Sequence, residues 1–446
     1  MTNNDMALNP AYFIKWFRDA SPYIHAHHER TFVFYLNSKT NNNRSFMRLM
    51  HDIALLSSLE IRIVIVYDAL AQAAEYLTMR DVEVKEVNYL PIISSDALTC
   101  LEAACGRVST SISRYLSMGL TNAPNHDHRI RVVSGNFVTA QPIGVREGID
   151  FLYTGKTRRV DHEMIESLLV DDSIVLISPL GYSPTGEAFY LPPDSLSADI
   201  AVALNAAKWV CLGDIEGIYD QEGELCHYLN LYDAQQWLIK NTRSPHRRLI
   251  DNAIRVCKNG VQRTHLTSLS QDGNLLLELF TRDGVGTLIS GDLFEQTRKA
   301  TLQDVAGLAQ LIRPLEEKGA LIRRSKEKLE LEVEHFTLQE RDGMVVACAA
   351  LYPYFPEKMA EFACFAVHDQ YRGEHRGDAL LSLLEKEARH RNITHAFVFT
   401  THTAHWFRER GFVESTLEDI PKARRKTYTP QRNSKVLIKN LGTHVR

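Results

Sequence analysis

Phe365-Ala-Val-His-Asp-Gln-Tyr-Arg-Gly-Glu-His-Arg-Gly-Asp-Ala-Leu380 is the stretch on which the reading of the C-terminal third turns. Phe365, Ala366 and Val367 end an apolar, strand-like run. Arg372, Gly373, His375, Arg376 and Gly377 make a short basic loop, and Leu380, Leu383, Leu384 and Ala388 predict one buried face of a helix over 377–391. The first N–H groups of a helix have no intrahelical acceptor and sit at the positive end of its dipole. A strand, a glycine loop and a helix start in this order therefore form a cradle for an anion. Arg372 and Arg376 add cations. The competing reading is an ordinary strand–turn–helix with solvated arginines, because short glycine motifs recur by chance.

Outward from this loop, the sequence predicts a helix over 304–317, strands within 332–350, a strand at 360–367 and another at 395–401. Upstream, short β-branched runs alternate with helical patterns. Strands are predicted at 31–36 (TFVFYL), 61–67 (IRIVIVY), 131–140 (RVVSGNFVTA), 173–178 and 208–212, with helices at 46–59 and 197–207. Strand–helix alternation of this kind predicts an α/β fold with an open, mostly parallel sheet and helices on both faces. The pattern changes within the polar SGDLFEQTRKAT segment at 290–301, so two domains are expected, 1–294 and 295–446.

The chain has 446 residues, a formal net charge of −4 and 44% hydrophobic residues, which suits a globular chain and excludes a global nucleic-acid footprint. The basic run Lys422, Arg424, Arg425, Lys426 reads as a solvated loop. The opening MTNNDMALNP lacks the basic and apolar parts of a signal peptide, and no apolar run is long enough for a membrane span. The seven cysteines include no C-x-x-C pair. A cytoplasmic protein without metal or membrane is expected.

The loop resembles the pyrophosphate loop of the GNAT acetyltransferases: Arg372, Arg376 and Gly377 fit, and His375 stands where that pattern has its middle glycine. The resemblance implies an α+β acetyltransferase domain binding acetyl-CoA through Phe365, Ala366, Val367, Arg372, Gly373, His375, Arg376 and Gly377. Downstream, Ala404-His-Trp-Phe407 and Gly411-Phe412 resemble the last GNAT motif. Phe407 stands where that family often carries a tyrosine acid, so another group or water must protonate the departing thiolate.

The whole chain resembles the bacterial two-domain N-acetylglutamate synthases, on strings such as Leu311-Ile-Arg-Pro-Leu-Glu316, Leu321-Ile-Arg-Arg-Ser325, Glu361-Phe-Ala-Cys-Phe-Ala-Val-His368 and Trp406-Phe-Arg-Glu-Arg-Gly-Phe412. The resemblance implies transfer of acetyl from acetyl-CoA to the α-amine of L-glutamate by direct attack. Arg323 and Arg432 would hold the carboxylates, since a guanidinium donates two parallel hydrogen bonds to a carboxylate. Leu321 would supply backbone contacts, Glu361 would be the general base, and Thr400 a hydroxyl at the reaction centre. Cys364, three residues after Glu361, lies in an apolar strand and reads as an unactivated thiol. An acetyltransferase of another small amine and a non-catalytic arginine sensor remain as alternatives.

Residues 25–290 resemble the amino-acid kinase fold, closest to acetylglutamate kinase, on Val133-Ser-Gly-Asn-Phe137, Leu204-Asn-Ala-Ala-Lys208 and Asp214-Ile-Glu-Gly-Ile-Tyr219. The first strand continues into Asn-Ser-Lys-Thr40 without a glycine pair, and Asp68 places a carboxylate where a phosphate would bind, so no ATP is expected; Asp199 survives from a family aspartate. His265, Glu278, Gly284, Gly286 and Thr287, with Tyr23 of the N-terminal helix, resemble the arginine site of arginine-inhibited relatives. L-arginine is therefore the implied effector, and a homo-oligomer the implied assembly. Asp19 or Ala20 stands where relatives tend to carry histidine before Tyr23.

Overall fold

The structure, a computed structural model, describes residues 10–37, 43–119, 130–213, 215–291, 295–373, 375–428 and 430–442. The segment 38–40, where the kinase glycine pair is missing, together with Asp214 and 292–294, lies outside the described residues. The chain divides into two compact units, Met1–Leu293 and Phe294–Arg446.

The first unit is built on eight strands: β1 (Thr31–Leu36), β2 (Arg62–Tyr67), β3 (Arg131–Ser134), β4 (Ser173–Ile177), β5 (Lys208–Gly213), β6 (Tyr228–Asn230), β7 (Arg263–Ser268) and β8 (Thr287–Ser290), in the order β6-β8-β7-β5-β1-β2-β4-β3. Every neighbouring pair is parallel except β7–β8. β1 shows why. Phe32, Phe34 and Leu36 enter one apolar core while Val33 and Tyr35 enter the other, as a strand covered on both faces requires. Helices α1 (Pro10–His27), α2 (Asn43–Ser58) and, further on, Asn274–Phe280 lie on the first side.

Two expectations for this unit need correction. The run 131–140 is two strands, β3 in the main sheet and Val138–Pro142 in a separate four-stranded sheet. The chain turns at Gly135, where a Cβ would stand 2.9 Å from the Phe137 ring. The helix expected at 197–207 spans Pro193–Ala203. Pro193 presets the helical φ at its start, and Asn205 at φ 44° turns the chain out of it.

The second unit contains β9 (Glu295–Lys299), β10 (Phe336–Arg341), β11 (Met344–Tyr354), β12 (Met359–Val367), β13 (His395–Thr400), β14 (Val413–Ser415) and β15 (Lys435–Asn440), ordered β9-β10-β11-β12-β13-β15-β14. Only β12–β13 is parallel, and that pairing runs from Met359↔His395 to Glu361↔Phe397 and stops. A bulge in β12 accompanies the divergence: Cys364 has φ 57°, and the register against β11 shifts between Cys348 and Ala350. Helix α3 (Val305–Glu317) covers one face and α4 (Arg376–His390) the other. α4 buries Leu380, Leu381, Leu384 and Ala388, whereas Leu383 is 40% exposed, so the expected buried face is rotated toward Leu381. Among the described residues no helix is long and apolar enough to cross a membrane.

Candidate active site

β12 stops pairing with β13 after Glu361 and runs on toward the turn that leads into α4. Beyond Glu361, the β13-facing edge of Phe365, Ala366 and Val367 has no strand partner among the described residues. Gly373, at φ 93°, makes the turn that an L side chain resists; its Cβ position is open space. His375 adopts φ 54° and caps α4 with its side chain exposed, 3.4 Å from Asp378. Gly377 is explained by packing: a Cβ there would meet Trp406 at 3.1 Å.

The two loop arginines part company. Arg372 is half exposed and pairs with Asp369 at 2.7 Å. Arg376, expected as a second cation for the anion, is 7% exposed and turned inward, where its guanidinium pairs with Glu295 and lies 5.5 Å from the Tyr371 ring. Its side chain therefore serves the protein interior. Phe407 is buried among Phe365, Trp406 and Phe412, which explains its apolar identity.

Glu361, 7% exposed on β12, is held in both oxygens by Arg424: Nε to Oε2 at 2.6 Å and Nη2 to Oε1 at 3.1 Å. Arg424 also stacks on Phe399, 4.6 Å from the ring centroid. The basic run 422–426 is therefore not simply a solvated loop. Arg425 reaches the carbonyls of Ile420 and Glu418 as well. Two donors occupy one lone pair on each Glu361 oxygen, leaving the carboxylate able to accept a further proton donor. Nothing in the spacing of the basic run distinguishes Arg424 from its neighbours; only the fold brings it to Glu361.

Around this pair stand Tyr354, Tyr352, Glu332 and Arg324. The Tyr352 hydroxyl donates to Glu332 at 2.7 Å, and burial, with Glu361 next, pushes the Tyr354 phenol up to about 12. Arg323 is exposed and Arg324 is its opposite, with a side chain 11% exposed and 3.8 Å from Glu332. Arg432 donates to the carbonyls of Gly319 at 2.8 Å and Ala320 at 3.0 Å, which ties it to the loop carrying Leu321 and Arg323. Leu321 donates its N–H to the Leu315 carbonyl, so that amide is already engaged. Thr400 ends β13; its hydroxyl accepts from the Thr403 N–H at 2.9 Å and pairs with the Thr403 hydroxyl at 2.9 Å. Cys364 is buried in the core beneath α3.

In the first unit, four of the resembling residues meet. Glu278 is 4% exposed; its Oε1 lies 2.6 Å from His265 Nδ1 and its Oε2 accepts from the Val285 and Gly286 amides, each at 2.8 Å. Lys208 Nζ approaches the other His265 nitrogen at 3.1 Å. An ammonium donates only, so His265 must accept at Nε2 and donate at Nδ1, which makes it neutral. Burial, then the Lys208 charge, lowers its pKa to about 4. For Glu278 burial acts upward, but the His265 bond and the two amides hold it below the usual range. Gly284 and Gly286 are dictated by this packing: added Cβ atoms would lie 2.5 Å from Glu278 Oε2 and 2.1 Å from the Leu266 carbonyl. Thr287 accepts from the Ile218 N–H at 2.8 Å.

Tyr23 sits one helical turn before His27, with ring centroids 6.1 Å apart. His27, 5% exposed and 2.8 Å from the Leu279 carbonyl, joins α1 to the helix that carries Glu278. The histidine that adjoins Tyr23 follows it in α1 rather than preceding it. Asp68 accepts from the Leu70 N–H at 2.9 Å, just before the following helix, and Asp199 pairs with Arg255 at 2.6 Å.

The model of the amino acid kinase family matches residues 36–268, and that of the acetyltransferase (GNAT) family matches residues 306–412. Amino-acid acetyltransferases of Pseudomonas fluorescens and Pseudomonas aeruginosa are each 44% identical over 429 residues, 96% of this chain and 99% of theirs. The crystal structure of N-acetylglutamate synthase from Neisseria gonorrhoeae with coenzyme A and L-arginine is 34% identical, with a TM-score of 0.86 over 97% of this chain and 99% of that one. The same enzyme with coenzyme A and N-acetyl-glutamate aligns with a TM-score of 0.61. With a glycine loop at a helix start and relatives matched over 96% or more of this chain, the chain belongs to the two-domain amino-acid acetyltransferase family and is an N-acetyltransferase that takes its acetyl group from acetyl-CoA.

Proposed function

We propose that this chain is an N-acetylglutamate synthase: it transfers acetyl from acetyl-CoA to the α-amine of L-glutamate, and L-arginine regulates it. The observation that carries the reading is Glu361, a buried carboxylate at the point where β12 and β13 stop pairing. A base there can take a proton from the glutamate ammonium, directly or through a water, so that the neutral amine attacks the thioester carbonyl. The amide chain of the coenzyme arm would lie against the unpaired edge of Phe365–Val367. Its pyrophosphate would lie at the main-chain N–H groups that start α4, with Arg372 beside them. Thr400, at the end of β13, would donate a hydrogen bond to the substrate or the departing sulfur. Arg323 and Arg432, joined through the loop 319–323, suit an acceptor with two carboxylates. The N-acetyl-glutamate and coenzyme A bound to the gonococcal relative support the same assignment.

Free CoA release from acetyl-CoA should depend on L-glutamate. Turnover with another amine and none with glutamate overturns the assignment. Arg432→Ala should raise the glutamate KM roughly tenfold to a hundredfold, the value of a hydrogen bond to a charged group, with the acetyl-CoA KM little changed. An unchanged glutamate KM removes Arg432 from the site.

Arginine would enter at Glu278. Three of the carboxylate's roughly four lone-pair sites are taken within the protein, so a guanidinium would share the remaining one or displace His265. Glu278→Gln is expected to shift inhibition to arginine concentrations about tenfold higher while basal turnover stays nearly intact. An unchanged arginine response, or loss of basal acetylation, removes Glu278 from the regulatory role.

A further inference from the structure

We infer that Glu295, on the strand that opens the second unit, is a positioning residue for acetyl-CoA, acting through Arg376. The inference rests on the reading above that the coenzyme pyrophosphate lies at the start of α4. Arg376 is the first residue of α4, and its side chain is buried at the helix start where the coenzyme pyrophosphate is proposed to lie. Its guanidinium pairs with one oxygen of Glu295; the other oxygen holds Arg341 at 2.9 Å. Both guanidinium groups flank the buried ring of Tyr371, at 5.5 Å and 5.8 Å from its centroid, and Tyr371 itself belongs to the coenzyme loop. One carboxylate on β9 thus fixes two cations that both lie against the Tyr371 ring.

The consequence for the coenzyme follows from geometry. Hydrogen bonds from α4's first amides to a phosphate require those amides to hold one direction, and the helix start is restrained by the inward anchor at Arg376. Without Glu295 the buried guanidinium loses this carboxylate and settles differently, shifting the first turn that it anchors. Simple electrostatics predicts the opposite sign. Removing a carboxylate near an anion site makes the surroundings more positive and should tighten coenzyme binding. The direction of the change therefore separates positioning from charge.

The full-length enzyme provides the test, with steady-state kinetics in acetyl-CoA and in the amino-acid acceptor. Glu295→Gln is expected to raise the acetyl-CoA KM about tenfold, with the acceptor KM unmoved and kcat at saturation within about twofold. Arg341→Gln, which cuts the other arm of the same carboxylate, should move the acetyl-CoA KM in the same direction, and serves if Glu295→Gln gives no folded protein. In an Arg376→Met background Glu295→Gln should add nothing further. Lys299→Gln is the control: Lys299 joins the same strand to the same helix through Glu387 at 2.7 Å, away from the loop, and its loss should leave the acetyl-CoA KM alone. A lowered or unchanged acetyl-CoA KM in Glu295→Gln, or an equal rise in Lys299→Gln, overturns the inference. Arg372→Ala tests the loop reading separately: if it raises the KM while Glu295→Gln does not, only the role of Glu295 fails. If Arg372→Ala is silent as well, the coenzyme site itself lies elsewhere.

Discussion

Glu361→Gln is expected to lower kcat by about a hundredfold to ten-thousandfold, the usual contribution of a general base, while the acetyl-CoA KM stays near the wild-type value. Glutamine keeps the shape of the side chain and one acceptor oxygen for Arg424, so the buried guanidinium retains a partner and the fold is spared most of the cost of an uncompensated charge. The change removes only the capacity to take a proton. Stopped assays of free thiol release at saturating acetyl-CoA and glutamate measure it. A kcat within about threefold of wild type would show that proton removal does not depend on Glu361. A matching loss in coenzyme binding would make it a structural residue of β12.

Acidification from pH 7 to pH 5 is expected to destabilise the first unit by about 2–3 kcal/mol. In the unfolded chain His27 and His265 take up protons below their ordinary pKa of about 6.5. In the folded unit, burial first and the Lys208 charge next lower them to about 3 and about 4. Protons therefore favour the unfolded chain throughout that window, and stability falls as pH falls through 6.5 toward 4. Each histidine accounts for about 2 kcal/mol at pH 5. Asp52, raised to about 6 by burial and by Asp272, binds its proton more readily when folded and offsets about 1 kcal/mol. Urea unfolding followed through the fluorescence of buried Trp209 measures the slope. His27→Gln, which keeps a donor for the Leu279 carbonyl, should flatten it. Equal stability at pH 5 and pH 7 would refute the neutral-histidine assignment.

The elements that the sequence located best are those whose pattern needs no partner to be read. The buried runs at 31–36 and 62–67 are β-branched and apolar because helices cover both faces, and the strand ends fall within a residue of expectation. The two that shifted, 131–140 and 197–207, have apolar patterns continuing through a turn, so periodicity alone does not mark where the chain changes sheet or leaves the helix. Leu381 and Leu383 are equally apolar, and which one is buried depends on how α4 lies on its sheet.

The same boundary runs through the site. The order of the strand, the glycine loop and the helix, the identity of Glu361, and the glycines near Glu278 are all local or pattern-bearing, and the amino-acid sequence by itself determined them, together with the acetyltransferase class and the kinase-like companion unit. The direction of each charged side chain was decided only by tertiary structure. Arg372 and Arg376 are four residues apart in one loop, yet one faces solvent and the other is buried against Glu295, 81 residues earlier in the chain. Arg424 reaches Glu361 across 63 residues, and His27 reaches Leu279 across 252. A long charged side chain has no periodicity of its own. Its partner is whatever carboxylate or carbonyl the packed backbone brings within hydrogen-bond reach, and the cost of burying an unpaired charge then selects that one arrangement from the many that the sequence alone permits.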